Sequence, residues 1–210
     1  MMQTEISLRT IRMMVSSIAD IFVVPVESLF QVLFHGLILA LIIGGFWLLD
    51  SLKDPIINNF IGIEYQPTAK FFSVLTTLLL VCIYDYLTCI VSKPNLFHVI
   101  STAFGFIFMA LSALIADPIT GLHNRDKGPH RYVGWLYYFC VEAYGSLMVA
   151  MFWSYTNFIM DLEQAKGSYG LIISVAQLGA ILGATLATVS LTLNHINLIN
   201  MLIYYLYVYT

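Results

Sequence analysis

The chain has 210 residues, 60% of them apolar and only 10% charged, with 9 Lys+Arg against 12 Asp+Glu for a net charge of −3. A soluble domain carries about 25% charged residues; this chain, with a mean hydropathy of +0.85, has too few to coat a water-facing surface and reads as a multi-spanning membrane protein. The same numbers exclude a soluble enzyme, a disordered chain and a basic nucleic-acid binder whose affinity rests on phosphate contacts.

The chain begins with a segment, residues 1–28, in which Ile6, Ile11, Met14, Val15 and Ile18 recur at helical spacing with Arg9, Arg12, Ser16 and Asp20 between them. That pattern predicts an amphipathic helix lying in the membrane interface and ending near Pro25. It has neither the uninterrupted apolar core nor the cleavage site of a secretory signal. Residues 29–210 predict an all-α domain of six transmembrane helices, because crossing the hydrocarbon takes about 20 apolar residues. The runs are Phe30–Leu49, Phe71–Val91, Leu96–Ala116, Val133–Met160 and Tyr169–Leu191, with a sixth starting near Ile196. The sixth is still apolar at Thr210, so we expect it to be incomplete. Each run is continuous rather than alternating, which excludes a barrel and leaves helices. With the N-terminus inside, Arg9, Arg12, Lys93 and Lys166 would lie inside and Lys53, Lys70, Arg125, Lys127 and Arg131 outside. That distribution sets no orientation by the basic-residue rule.

Ionisable residues within spans are functional hypotheses by default. Glu142 lies in the fourth span, and its helix face continues through Tyr138, Ser146, Val149, Trp153 and Asn157. That stripe suits a polar pathway between helices, or else Glu142 serves as a simple interhelical hydrogen-bond partner. Lys53 sits in Asp50-Ser51-Leu52-Lys53-Asp54, after Trp47-Leu48-Leu49 and before Pro55-Ile56-Ile57. It lies either on an extended first helix, where it would offer a point charge to phosphate or carboxylate, or in a solvated loop. Asp161 to Tyr169 reads as a short hydrophilic loop. The fifth helix carries Gly179 and Gly183 four apart with Ala176, Ala180, Ala184 and Ala187 interleaved, a face that lets backbones approach closely. Gln177 and Thr185 read as interhelical hydrogen-bonding groups. The cysteines, Cys82, Cys89 and Cys140, read as small packing residues. His123, Arg125, Lys127, His130 and Arg131 make a polar loop without metal-ligand spacing. No nucleotide-binding loop, triad signature or metalloprotease helix occurs, so neither catalytic residues, a metal nor a cofactor is expected.

Four segments carry a resemblance. Phe152-Trp153-Ser154-Tyr155-Thr156-Asn157, followed by Glu163 to Tyr169 and Gln177-Leu178-Gly179, resembles the ATP/ADP translocase (nucleotide transporter) family of intracellular bacteria and plastids. Glu142-Ala143-Tyr144-Gly145-Ser146, Asp50 to Asp54 and Gly62 to Lys70 resemble further segments of that family in the same order. The resemblance covers about Leu48 to Ala187. It implies one six-helix half of a twelve-helix, major-facilitator-type carrier exchanging ATP for ADP, with the site between halves. It also implies a multi-pass protein of a bacterial inner membrane or organelle envelope. By this resemblance Lys53 contacts substrate phosphate, Glu142 supplies a counter-charge, and Asn157, Tyr138 and Trp153 line the same pathway. Asp50 departs from the family, which has arginine there. The missing half is expected from a longer chain of which this is the N-terminal part, or from a second copy. Two other readings fit: a proton-coupled transporter of another solute on this fold, with Glu142 as the proton carrier, and a non-transporting scaffold subunit that docks through the small-residue face.

Overall fold

A computed structural model describes residues 13, 16, 17, 26–124 and 126–192. The expected interfacial segment, apart from the helical residues 13, 16 and 17, and the expected sixth span lie outside the described residues. The described chain is helical and has no strand: α1 is Val26–Phe60, a 3-10 turn is Ile63–Tyr65, α2 is Gln66–Thr88, α3 is Lys93–Ala116, α4 is Tyr132–Ile159 and α5 is Leu162–Thr192. All five α-helices are long and apolar enough to cross a membrane.

Local chemistry sets several boundaries. Pro67 and Pro94 stand in the first turns of α2 and α3, where a proline ring is already in helical geometry and its missing N–H costs nothing. Gly62 follows α1 with φ of 124°, a backbone conformation open to glycine and strained for other residues.

Two boundaries differ from the sequence expectation. First, α1 does not stop at Leu49 but runs on through Asp50, Lys53 and Pro55 to Phe60, making 35 residues, or about 52 Å at the helical rise. It exceeds a hydrocarbon core of about 30 Å, so it tilts or projects. Pro55 removes one backbone donor inside the helix, which transmembrane helices tolerate. Second, the expected hydrophilic loop is the first two turns of α5, so the connection shrinks to Met160 and Asp161. Glu163, Gln164, Ala165 and Lys166 are strong helix formers, and Asp161 is a residue type favoured at helix starts. Gly167 opposes the helix by only about 1 kcal/mol.

α1 packs along both α5 and α4, while α2 and α3 each pack on α4. The α1–α5 seam is made of small residues running in parallel register. Gly36 faces Val175, and a Cβ on Gly44 would stand 2.7 Å from the Gly179 carbonyl oxygen. A Cβ on Gly179 would overlap the Ala40 carbonyl, and one on Gly183 the Gly44 carbonyl. The Gly179/Gly183 face is thus used inside the chain and is not free for a docking partner. Thr185 donates to Ile181 O of its own helix at 2.7 Å, not across helices as its sequence position suggested, and Gln177 is exposed. Around this seam the core gathers Leu39, Ile42, Leu48 and Ile57 of α1 with Val141 and Phe152 of α4. By contrast α2 buries only Ala69 and Ser73, and its remaining apolar surface suits lipid tails. Cys82 and Cys89 are exposed rather than packed, and Cys140 is half-buried.

Candidate functional site

Because α1 continues past Leu49, Lys53 is carried into the bundle and not into a loop. Its Nζ donates to Asp50 Oδ1 at 2.6 Å, one turn back on α1, and to Glu142 Oε1 at 2.5 Å on α4. The ammonium also stands 4.8 Å from the centroid of the Tyr138 ring, within range of a cation–π attraction. The lysine side chain is 10% exposed and each carboxylate 29%. The three groups together carry one excess negative charge.

Flanking hydroxyls hold α4 against α1 around this triad. Tyr137 OH donates to Leu49 O at 3.1 Å, and Tyr144 OH donates to Ile42 O at 3.3 Å. Gly145 leaves room for the Phe46 ring, and Gly134 for the Phe60 side chain. Lys53 lies seven residues before the end of α1 and Glu142 ten residues after the start of α4. The triad therefore sits about 10 to 15 Å inside one end of the bundle. Charges removed from water at this depth are costly unless paired, and one cation between two anions answers that cost with charge-assisted hydrogen bonds. One N–H of the ammonium remains after both are made.

Lys53, Glu142 and Tyr138 are brought together; Trp153 and Asn157 are not. Asn157 lies on the same stripe of α4 but about 22 Å from Glu142 along the helix. There its Oδ1 accepts from Tyr169 OH of α5, and the Trp153 ring meets Tyr169 edge-on with centroids 5.1 Å apart. Ser146 is exposed and Val149 half-buried. The stripe thus divides into a charge triad near one end and an α4–α5 polar link near the other.

Sequence reasoning missed three contributors. Asp50 was readable as a Lys53 partner from its i,i+3 spacing. Tyr169 gave no signal beyond its position in a charged segment. His35, in the first apolar run, is itself an intramembrane ionisable residue. It is buried, with Nδ1 hydrogen-bonded to Gln31 O at 2.8 Å and its ring stacked on Tyr155 at 6.2 Å. Among the described residues no group of three or more His, Cys, Asp or Glu could hold a metal ion.

The chain matches the family model described as TLC ATP/ADP transporter over residues 10–131 and 127–206. It belongs to the TLC ATP/ADP transporter family. The family is described as one of transporters, and membership together with the five apolar helices makes the TLC chain an integral, multi-pass membrane protein. Among its relatives is ADP,ATP carrier protein 4 of Rickettsia typhi, 28% identical over an alignment of 152 residues that takes in 63% of this chain. ADP,ATP carrier protein 4 of Rickettsia prowazekii is 26% identical over 151 residues, again 63% of this chain. The match spans 30% of the length of each of these relatives. No solved structure matches the TLC chain.

Proposed function

We propose that this chain is the N-terminal, six-helix part of a twelve-helix nucleotide carrier of the ATP/ADP exchange type, with substrate bound near the bilayer midplane against a second six-helix part. The observation that carries the reading is Lys53, a cation placed inside the bundle and held by two partly exposed carboxylates. The likeness of the chain to relatives named as ADP,ATP carriers supports the substrate class. In this mechanism Asp50 and Glu142 hold Lys53 while no substrate is bound. An incoming phosphate then competes for the ammonium, and a carboxylate it displaces, being 29% exposed, turns to water. Tyr138 forms the wall beside the ammonium, and Trp153 and Asn157 contribute polar surface at the far level of α4.

The test is nucleotide uptake by the full-length protein. Lys53→Ala abolishes uptake while membrane insertion is retained; normal uptake by that variant overturns the role given to Lys53.

The excess negative charge of the triad favours a second reading, a proton-coupled transporter of another solute on the same fold. In that reading Glu142, the triad carboxylate on α4, is the proton carrier. Under this reading, uptake driven by a pH gradient is lost in Glu142→Gln, and uptake indifferent to that change excludes it.

A further inference from the structure

Three buried side-chain atoms have no hydrogen-bond partner among the described residues: His35 Nε2 on α1, Thr156 Oγ1 on α4 and Ser168 Oγ on α5. None of these residues is more than 5% exposed. Buried polar groups are paired in about nine cases in ten or more, so three orphans on three helices call for a common cause. The helix registers bring them to one end of the bundle. α4 runs against α1 so that Gly145 meets the Phe46 ring and the Tyr155 ring stacks on His35, which puts Thr156 level with His35. α5 runs along α1 with Gly36 beside Val175 and Gly179 beside Ala40. That register puts Ser168 level with Leu29, about 9 Å along α1 from His35.

The bonding of His35 fixes which nitrogen can act. Nδ1 lies 2.8 Å from Gln31 O. A carbonyl oxygen only accepts, so Nδ1 carries the hydrogen and Nε2 of the neutral ring carries a lone pair. Nε2 is therefore the atom that can take up a proton, and the bond from Nδ1 to Gln31 survives the uptake. The surroundings suit the imidazolium that results. Tyr155 lays its ring nearly parallel to the imidazole, at 21°, and Phe97 stacks on Tyr155 in turn with centroids 5.3 Å apart, so the cation would lie against an aromatic face. The Thr156 and Ser168 hydroxyls both donate and accept. Water held by them can donate to the neutral ring and accept from the charged one.

No described carboxylate or ammonium hydrogen-bonds the ring. The titratable groups on the surrounding helices are Glu27, eight residues earlier on α1, Tyr155 in contact on α4, Lys166 and Tyr169 toward the start of α5, and exposed His98 beside Phe97 on α3.

We propose that His35 is a proton-binding site of the membrane-spanning bundle, loaded at Nε2 through water held by the Thr156 and Ser168 hydroxyls. In the loading step a hydronium ion gives its proton to the Nε2 lone pair, an N–H bond forms and neutral water remains. Lys53 lies about 27 Å further along α1, so this site is separate from the charge triad and does not rest on any role of Glu142. The bound proton adds one positive charge beside the seam where Gly36 meets Val175.

The test is magic-angle-spinning NMR of the full-length protein, carrying isotope-labelled histidine, in lipid bilayers between about pH 5 and 8, where histidine changes charge. His35→Gln, together with cross-peaks to the Tyr155 ring, identifies the His35 signals. The expected result is a ring protonated at Nδ1 alone at the upper end of the range and at both nitrogens at the lower end, with magnetisation transfer from water to the Nε2 proton. Titration and transfer are expected to persist in Glu142→Gln. Thr156→Val is expected to lose most of the transfer, and Thr156→Ser to keep it. A His35 ring that holds one protonation state throughout, or a neutral ring protonated at Nε2, overturns the inference. Titration lost in Glu142→Gln assigns the proton to the triad and likewise overturns it. Transfer untouched by both Thr156→Val and Ser168→Ala overturns the loading path.

Discussion

Lys53 Nζ and Glu142 Oε1 meet at 2.5 Å although 89 residues separate them in the chain. The pair joins α1 to α4, and Asp50 makes the lysine serve two carboxylates at once. That asymmetry predicts unequal losses. Lys53→Met leaves two facing carboxylates with no cation and is expected to cost about 3 to 5 kcal/mol. Glu142→Gln leaves the Asp50–Lys53 pair whole and is expected to cost about 1 kcal/mol. Neutralising all three groups together is expected to recover most of the Lys53→Met loss. Equilibrium unfolding of the four proteins in mixed micelles checks the order; equal and additive losses contradict it.

The α1–α5 seam admits no side chain at three of its glycines, Gly44, Gly179 and Gly183. Gly183→Ala places a methyl against the Gly44 carbonyl, and Gly179→Ala against that of Ala40, both backbone atoms that cannot swing aside. Each is expected to destabilise by about 1 to 3 kcal/mol, seen as a lower thermal midpoint in detergent. Gly128→Ala is the control, since a methyl there meets nothing within 4 Å, and its midpoint is expected to stay within the spread of the wild type.

Arg131 gathers four carbonyl oxygens and covers the Phe60 ring. An ammonium has the charge but not the planar fork, so Arg131→Lys cannot reproduce the set. Amide exchange of residues 117–124 is expected to quicken by about tenfold or more, while exchange in α4 beyond its first turns is unchanged. Equal exchange in the two proteins refutes the anchoring role.

The Asp117 carboxylate accepts from the backbone N–H groups of Ile119 and Thr120 and from the Thr120 hydroxyl. These hydrogen bonds hold its pKa below the ordinary carboxylate value. A lowered folded pKa means the turn's stabilisation is complete above about pH 4 and is lost as the pH falls through the folded value. Protection of the Ile119 and Thr120 amides is expected to be flat from pH 8 to 5, after correction for intrinsic exchange, and to decline only below that range. In Asp117→Asn the decline is expected to vanish.

The five described spans were legible because each is an apolar run about as long as the hydrocarbon is thick. Their ends were not, since α1 and α5 carry charged turns, Asp50 to Asp54 and Glu163 to Lys166, that hydropathy assigns to water and helix propensity keeps in the helix. Lys53 and Glu142 were visible as ionisable residues beside or within apolar runs; that they touch depends on how α1 and α4 are rotated against each other, which neither segment encodes alone. The stripe from Tyr138 to Asn157 was correctly placed on one helix face, but a face is a direction and not a place, and the helical rise carries its two ends to different depths. The close-packing face of Gly179 and Gly183 was legible too, whereas its partner, α1, lies more than a hundred residues upstream. The Tyr137 and Tyr144 bonds to α1 carbonyls left no trace in pattern or spacing.

The glycine seam also orders events during synthesis. The face of α1 that carries Ala40 and Gly44 fits the backbone of α5, and α5 leaves the ribosome only after α2, α3 and α4 have been made. Until then that face has no complement and must be held by lipid or by the insertion machinery. Helix α1 thus waits for α5, and the seam between them closes only after the three intervening helices have been made.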